Sequence, residues 1–229
     1  MRDLVKRRKA FKKELLAALG PVVKGTGWKK NRSALVRQSG AFFQDIVISV
    51  YLNDEKKIGV VQTFKPMALD TLLWDILGMS ENASEPLSFR TWGAFTCSGL
   101  PIYEALLEPV DSSAVNVAEF LGKIARTNKD LFDEVLKTAK YSTLLANHTH
   151  QLEHGAYAVA LVTSLINDGD YEGAADLAGK YESGELKSCS QLSSYGVSFH
   201  RLALDWLDAG KAITAFAINP IDRGRTKEA

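Results

Sequence analysis

Residues 42–64 read FFQDIVISVYLNDEKKIGVVQTF, and their pattern decides the fold class. Ile46, Ile48, Val50 and Leu52 occupy every second position, while Asp45 and Ser49 fall between them. A repeat of two belongs to a strand, whose successive side chains point to opposite faces, so residues 42–52 are predicted to form a strand with one face on a core. Asn53 to Lys56 is a polar turn, after which residues 57–64 resume with Ile58, Val60, Val61 and Phe64. A turn this short joins antiparallel strands, because a parallel crossover needs a dozen or more residues.

Upstream, residues 33–38 form a further short strand bounded by Ser39-Gly40. Residues 3–19 read as an amphipathic helix, with Leu4, Arg8, Phe11, Leu15, Leu19 and Val22 at steps of three and four. Gly20-Pro21 is its expected stop. Downstream, Pro66 ends the long strand and residues 67–77 become a helix that buries Leu69, Leu72, Leu73 and Ile76, capped at Gly78. Residues 80–86 form a polar loop. Residues 87–96 and 101–108 are predicted as two more strands.

Past Pro109 the texture turns helical. Residues 113–139 are expected as two helices broken near Thr127-Asn128, where Asn128 suits an N-cap. Residues 155–167 and 171–181 form a helical hairpin about Asn167 to Asp170. Its small residues are similar to those of a tetratricopeptide-type unit, but one copy of such a repeat cannot bury its own face, so the reading is a plain αα-hairpin. Residues 198–209 form a helix closed by Gly210, an apolar piece runs from Ala212 to Ile218, and residues 223–229 are expected as a disordered tail. The class is α+β: an antiparallel sheet with flanking helices in residues 1–110, then a helical region over 111–222 that can share the same core.

Composition sets the outer limits. With 46% apolar and 24% charged residues the chain suits a globular protein and not a disordered one. Cys97 and Cys189 make no CxxC pair and no disulfide framework, which points to a reducing, cytoplasmic setting. Arg7-Arg8 is followed by too short and interrupted an apolar stretch for a secretory leader. No run approaches the ~18 apolar residues of a membrane span, so no membrane partner is expected.

The net charge of +1 hides an asymmetry: residues 1–37 carry +10 and the remainder −9. Trp28, Lys29, Lys30 and Arg32 are the candidate contacts to nucleic acid or another anion, since cations meet phosphate and an indole can stack on a base. The plainer alternative is a solvated face packed beside the protein's own acidic body.

Three histidines stand within seven residues: His148, His150 and His154. Imidazoles at i and i+4 of a helix can reach one metal, and His150 to His154 fits the H-x-x-E-H string in which two histidines hold zinc and Glu153 activates water. That scheme needs a third protein ligand, for which Glu172, Glu182 and Glu185 are available. The alternative is a polar helix end without metal. Cys97 beside Ser98-Gly99 is a nucleophile only if a base such as His148, His150 or His200 lies near; otherwise it is a small buried hydrophobe. No phosphate-cradling glycine motif is present.

The order basic helix, Gly27-Trp28-Lys29-Lys30, then Ala34 to Arg37 and a long strand, resembles bacterial domains of unknown function, some of them found among immunity proteins of polymorphic toxin systems. The resemblance covers residues 4–65. It implies a non-enzymatic protein-interaction domain with another protein as partner, and it carries over no catalytic residue. The competing readings are a metal-dependent hydrolase on the histidine cluster and nucleic-acid binding through the basic segment.

Overall fold

The computed structural model describes residues 2–32, 34–52, 56–93, 95–107, 113–127, 140–148, 155–187 and 192–218. Helix α1 (Arg2–Val23) leads into a five-stranded antiparallel meander of β1 (Lys29–Asn31), β2 (Ala34–Ser39), β3 (Phe42–Leu52), β4 (Lys56–Pro66) and β5 (Leu100–Leu107), paired in chain order. Between β4 and β5 lie α2 (Met67–Ile76), a 3-10 turn (Ser80–Ser84) and the single turn α3 (Phe89–Trp92). Then come α4 (Ala114–Thr127), α5 (Tyr141–Ala146), the hairpin of α6 (Gly155–Asn167) and α7 (Tyr171–Glu182), a small ribbon of β6 (Ser193–Ser194) and β7 (Val197–Ser198), and α8 (Phe199–Ile218).

The α+β class and the antiparallel sheet are as the alternation of residues 42–64 requires. On one face of the sheet Leu35, Ile46, Ile48, Ile58 and Val60 meet Phe11, Leu15, Leu19 and Val23 of α1 and Val117, Leu121 and Ile124 of α4. Farther along, Phe64 and Leu100 join Leu69, Leu73, Tyr141, Val159, Val162 and Phe199 in a second core. Both cores draw residues from either side of position 110, so apolar packing runs across that boundary. The 155–181 hairpin forms as expected, with Asp170 capping α7 by accepting from the Gly173 amide at 3.0 Å.

Four expectations need correction. The described residues of 87–96 do not pair with the sheet: they form α3 and irregular segments, the last of them a strap leading into β5, and the edge of β4 is taken by β5. Helix α1 does not stop at Gly20-Pro21 but runs to Val23. Pro21 sits in the last turn, where it forfeits only one helical bond, and Val23 is buried against the sheet. Leu4 and Arg8, placed on the core face by spacing, are both exposed, since α1 meets the core only from Phe11 onward. Helix α8 also continues through Gly210 to Ile218 as one element. The second helical piece expected over 128–139, and the tail at 223–229, lie outside the described residues.

Candidate interaction face and polar pocket

The other face of the sheet divides into a covered half and an open half. In register across β3, β4 and β5 stand the rows Asp45–Thr63, Val47–Val61–Glu104 and Ser49–Gly59–Leu106, with Tyr51 opposite Lys57. Near β2, Ala34, Val36 and Phe43 are roofed by Leu87, Trp92 and Met67. The roof ends at the Asp45 row. Beyond it Tyr51 is 50% exposed and Leu106 55%, and Val47 and Val61 are only half-buried. The Tyr51 ring lies beside Gly59, where a side chain would crowd it.

Where roof and open face meet lies a cavity of about 310 Å³, with Asp45, Thr63 and Lys65 from the sheet, Arg90 to Trp92 from α3, Thr96 to Gly99 from the strap, and Tyr157 from α6. The strap can lie this close because residue 99 is glycine: a Cβ there would overlap the Thr63 hydroxyl. Phe95, just before it, holds a left-handed backbone at φ 60°, an unusual state for an aromatic residue. The Trp74 indole fixes that turn by donating to the Phe95 carbonyl at 2.7 Å.

Beneath the cavity is a buried charge network. Asp70 is fully buried; its Oδ1 accepts from Lys65 Nζ at 2.9 Å and from the Cys97 amide at 2.8 Å, and its Oδ2 from Arg90 at 2.9 Å. The Lys65 ammonium gives its other protons to the carbonyls of Arg90 (2.9 Å) and Cys97 (2.6 Å). Arg90 also donates to the Met67 carbonyl at 2.9 Å and stacks 4.9 Å from the Trp74 ring centroid. Both cations are thus held by the protein's own acceptors. A network of this kind fixes the positions of α2, α3 and the strap more than it adds net stability, because desolvation offsets the Coulomb gain.

Asp45 is a different case. It is 5% exposed, and among the described residues its carboxylate accepts from two hydroxyls, Thr63 at 2.5 Å and Thr91 at 2.8 Å. Burial raises its pKa above the usual carboxylate value, and the two hydroxyls oppose this. Lys65 and Asp70, bonded to each other, act on Asp45 in opposite directions.

Cys97 is buried with its thiol near the Leu69 carbonyl at 3.8 Å, and burial pushes its pKa up to about 12. A thiol so far from its thiolate is a poor nucleophile, and the hydrophobe reading fits. Of the histidines, His148 follows the end of α5, where its amide donates to the Leu145 carbonyl at 2.9 Å. His150, Glu153 and His154 lie outside the described residues, as does Cys189. Among the described residues no group of three His, Cys, Asp or Glu side chains is placed to hold a metal.

The basic segment is split by the fold. Lys29, Lys30 and Arg32 are exposed on β1 and its turn, and Lys30 leans back to donate to the Leu16 carbonyl of α1 at 2.7 Å. Trp28 is a core residue: its indole donates to the Ala125 carbonyl at 3.1 Å and Arg37 lies 4.6 Å over its ring. The surface this segment presents is therefore cationic without an aromatic platform at Trp28.

Sequence reasoning missed Asp45, Lys65, Asp70 and Arg90. Their one signal is a charged residue inside an apolar run, as Asp45 is between Phe43 and Ile46. Compared with family models, curated proteins and solved structures, the chain matches none. No helix among the described residues is long and apolar enough to cross a membrane.

Proposed function

We propose that this chain is a non-enzymatic protein-interaction domain, of the kind that serves as an immunity protein, and that it meets its partner with the open half of the sheet. The observation that carries this reading is the patch of exposed Tyr51 and Leu106 with half-buried Val47 and Val61 on one sheet face, beside a polar pocket. An apolar centre with a polar rim of Ser49, Lys57 and Glu104 is the anatomy of a protein interface. Large aromatic and aliphatic side chains on a rigid sheet contribute contact area at little cost in conformational entropy. The neutral, buried thiol of Cys97 and the internally held Lys65 and Arg90 favour a scaffold over a catalyst.

The test is binding to the purified product of the adjacent gene, followed by calorimetry, with Leu106→Arg as the variant. Leu106 is exposed, so the variant should keep the wild-type melting temperature. A charge set in the centre of an interface is expected to weaken binding by at least about thirtyfold, the equivalent of a ~2 kcal/mol hot spot. Undiminished binding by Leu106→Arg would place the working surface elsewhere.

A further inference from the structure

We propose that the cavity at Asp45 is a binding site for an organic cation, an alkylammonium or guanidinium group; this deepens the interaction reading by naming the chemistry that the pocket beside the open face recognises. The argument begins with what Asp45 lacks. An ionised carboxylate can accept about four hydrogen bonds. Asp45 has two, both from neutral hydroxyls, and among the described residues no cation makes an ion pair with it. Lys65 and Arg90 line the same cavity, but each points its protons at Asp70 and at backbone carbonyls.

The walls suit a cation as well. Trp92 borders the cavity, and an indole face is the best of the aromatic surfaces for a cation. Tyr157 lines the same cavity, its hydroxyl donating to the Gly99 carbonyl at 3.3 Å. Burial raises the Tyr157 pKa to about 12, and the Glu104 carboxylate adds to the rise, so a second negative field reaches this residue. A lining that brings a carboxylate and two aromatic residues together favours a guanidinium or ammonium over an anion or an apolar group. A cation entering there restores to Asp45 the favourable surroundings that burial took away.

The probes are methylguanidinium, n-butylammonium, acetate and a blocked Ala-Arg-Ala tripeptide, titrated into the full chain by NMR with the Asp45 carboxyl carbon followed directly. Saturable binding of the cations at a dissociation constant of about 1–10 mM, with acetate silent, is expected. The bound cation should lower the Asp45 pKa, and affinity should fall as pH drops and Asp45 takes up its proton. The groups facing it are Lys65, Asp70, Arg90, Cys97, Tyr157 and Glu104. Asp45→Asn should weaken binding at least tenfold, and Trp92→Leu should weaken it while leaving the carboxylate in place. Tighter binding of the tripeptide than of the free cations would assign the cation to a partner's arginine or lysine, and the reverse would assign it to a small amine. No cation shift at Asp45 in the wild type, or equal binding by Asp45→Asn, overturns the proposal. Neither result depends on Leu106, so the interaction reading stands or falls separately.

Discussion

Among single residues His200 is the most exposed to a change of conditions, although it is itself buried. Its ring stacks on Tyr181 with centroids 4.7 Å apart and meets Phe199 edge-on, and neither ring nitrogen has a hydrogen-bond partner among the described residues. Burial lowers its pKa below the ordinary 6.5, with Glu182 opposing. The fold therefore prefers the neutral ring, whereas the unfolded chain takes up a proton near its ordinary pKa. The stability this contributes is complete above about pH 6.5 and is lost as pH falls through that value toward the folded pKa. His200→Phe should keep the stacking and remove the titration. Thermal melts at pH 8 and pH 5 should show a smaller acid loss for the variant than for the wild type. Asp45 has a raised pKa and pulls the other way, but it is common to both proteins and cancels in the comparison. Equal acid losses would show that His200 is not the acid-sensitive group.

At the level of elements, the crossing of α1 and α4 shows what sequence periodicity can and cannot reveal. Phe11, Leu15, Leu19 and Val23 are spaced by four, so the buried stripe of α1 is readable from Phe11 onward. Its partner stripe on α4 includes Gly122, a buried position where a Cβ would overlap Val22 Cγ1. Helices that approach this closely need a hydrogen at that position. Gly122→Ala should then cost about 1–3 kcal/mol despite its better helix propensity, and Val22→Ala in the same chain should recover much of it. Urea denaturation of the two single variants and the double variant would measure the coupling. Additive losses would mean that the two residues do not share the contact. The strands of residues 42–64 were legible because Ile46, Ile48, Val50, Ile58, Val60 and Phe64 alternate onto one face. Residues 87–96 were not, because Phe89, Trp92 and Phe95 are bulky and apolar enough to suggest a strand, yet Phe89 packs on Trp74, Phe95 on the second core, and Trp92 roofs the sheet. Lys65, Asp70, Arg90 and Cys97 were illegible for a different reason. Their hydrogen bonds join positions up to 32 apart in sequence, and no local pattern encodes such a meeting.

For the whole molecule the charge asymmetry has a direction. Helix α1 lies on the face of the sheet opposite Asp45, and its residues 3–10 are exposed. At 1.5 Å per residue they reach about 13 Å past the first buried residue. Lys6, Arg7, Arg8 and Lys9 are carried there, with Lys29, Lys30 and Arg32 exposed on β1 and its turn. The cations of α1 and the proposed contact face are thus on opposite sides of the sheet, which suits long-range orientation of a charged partner more than direct contact, whereas Lys29, in register with Val36, and Arg32, which borders a cavity with Trp92, are on the Asp45 side. Nucleic acid would instead need phosphate contacts here, and its affinity would fall steeply with salt as counterions return. Changing Lys29, Lys30 and Arg32 together to alanine would then flatten the salt slope by about three units. With Trp28 in the core, these residues are expected to solvate the fold. The triple variant should keep its melting temperature within the small loss of the Lys30–Leu16 contact, and wild type and variant should bind oligonucleotides equally weakly. Fluorescence anisotropy over a salt series decides this. Wild-type binding tighter than about 10 μM at ~150 mM salt, lost in the triple variant, would make the basic side a nucleic-acid surface.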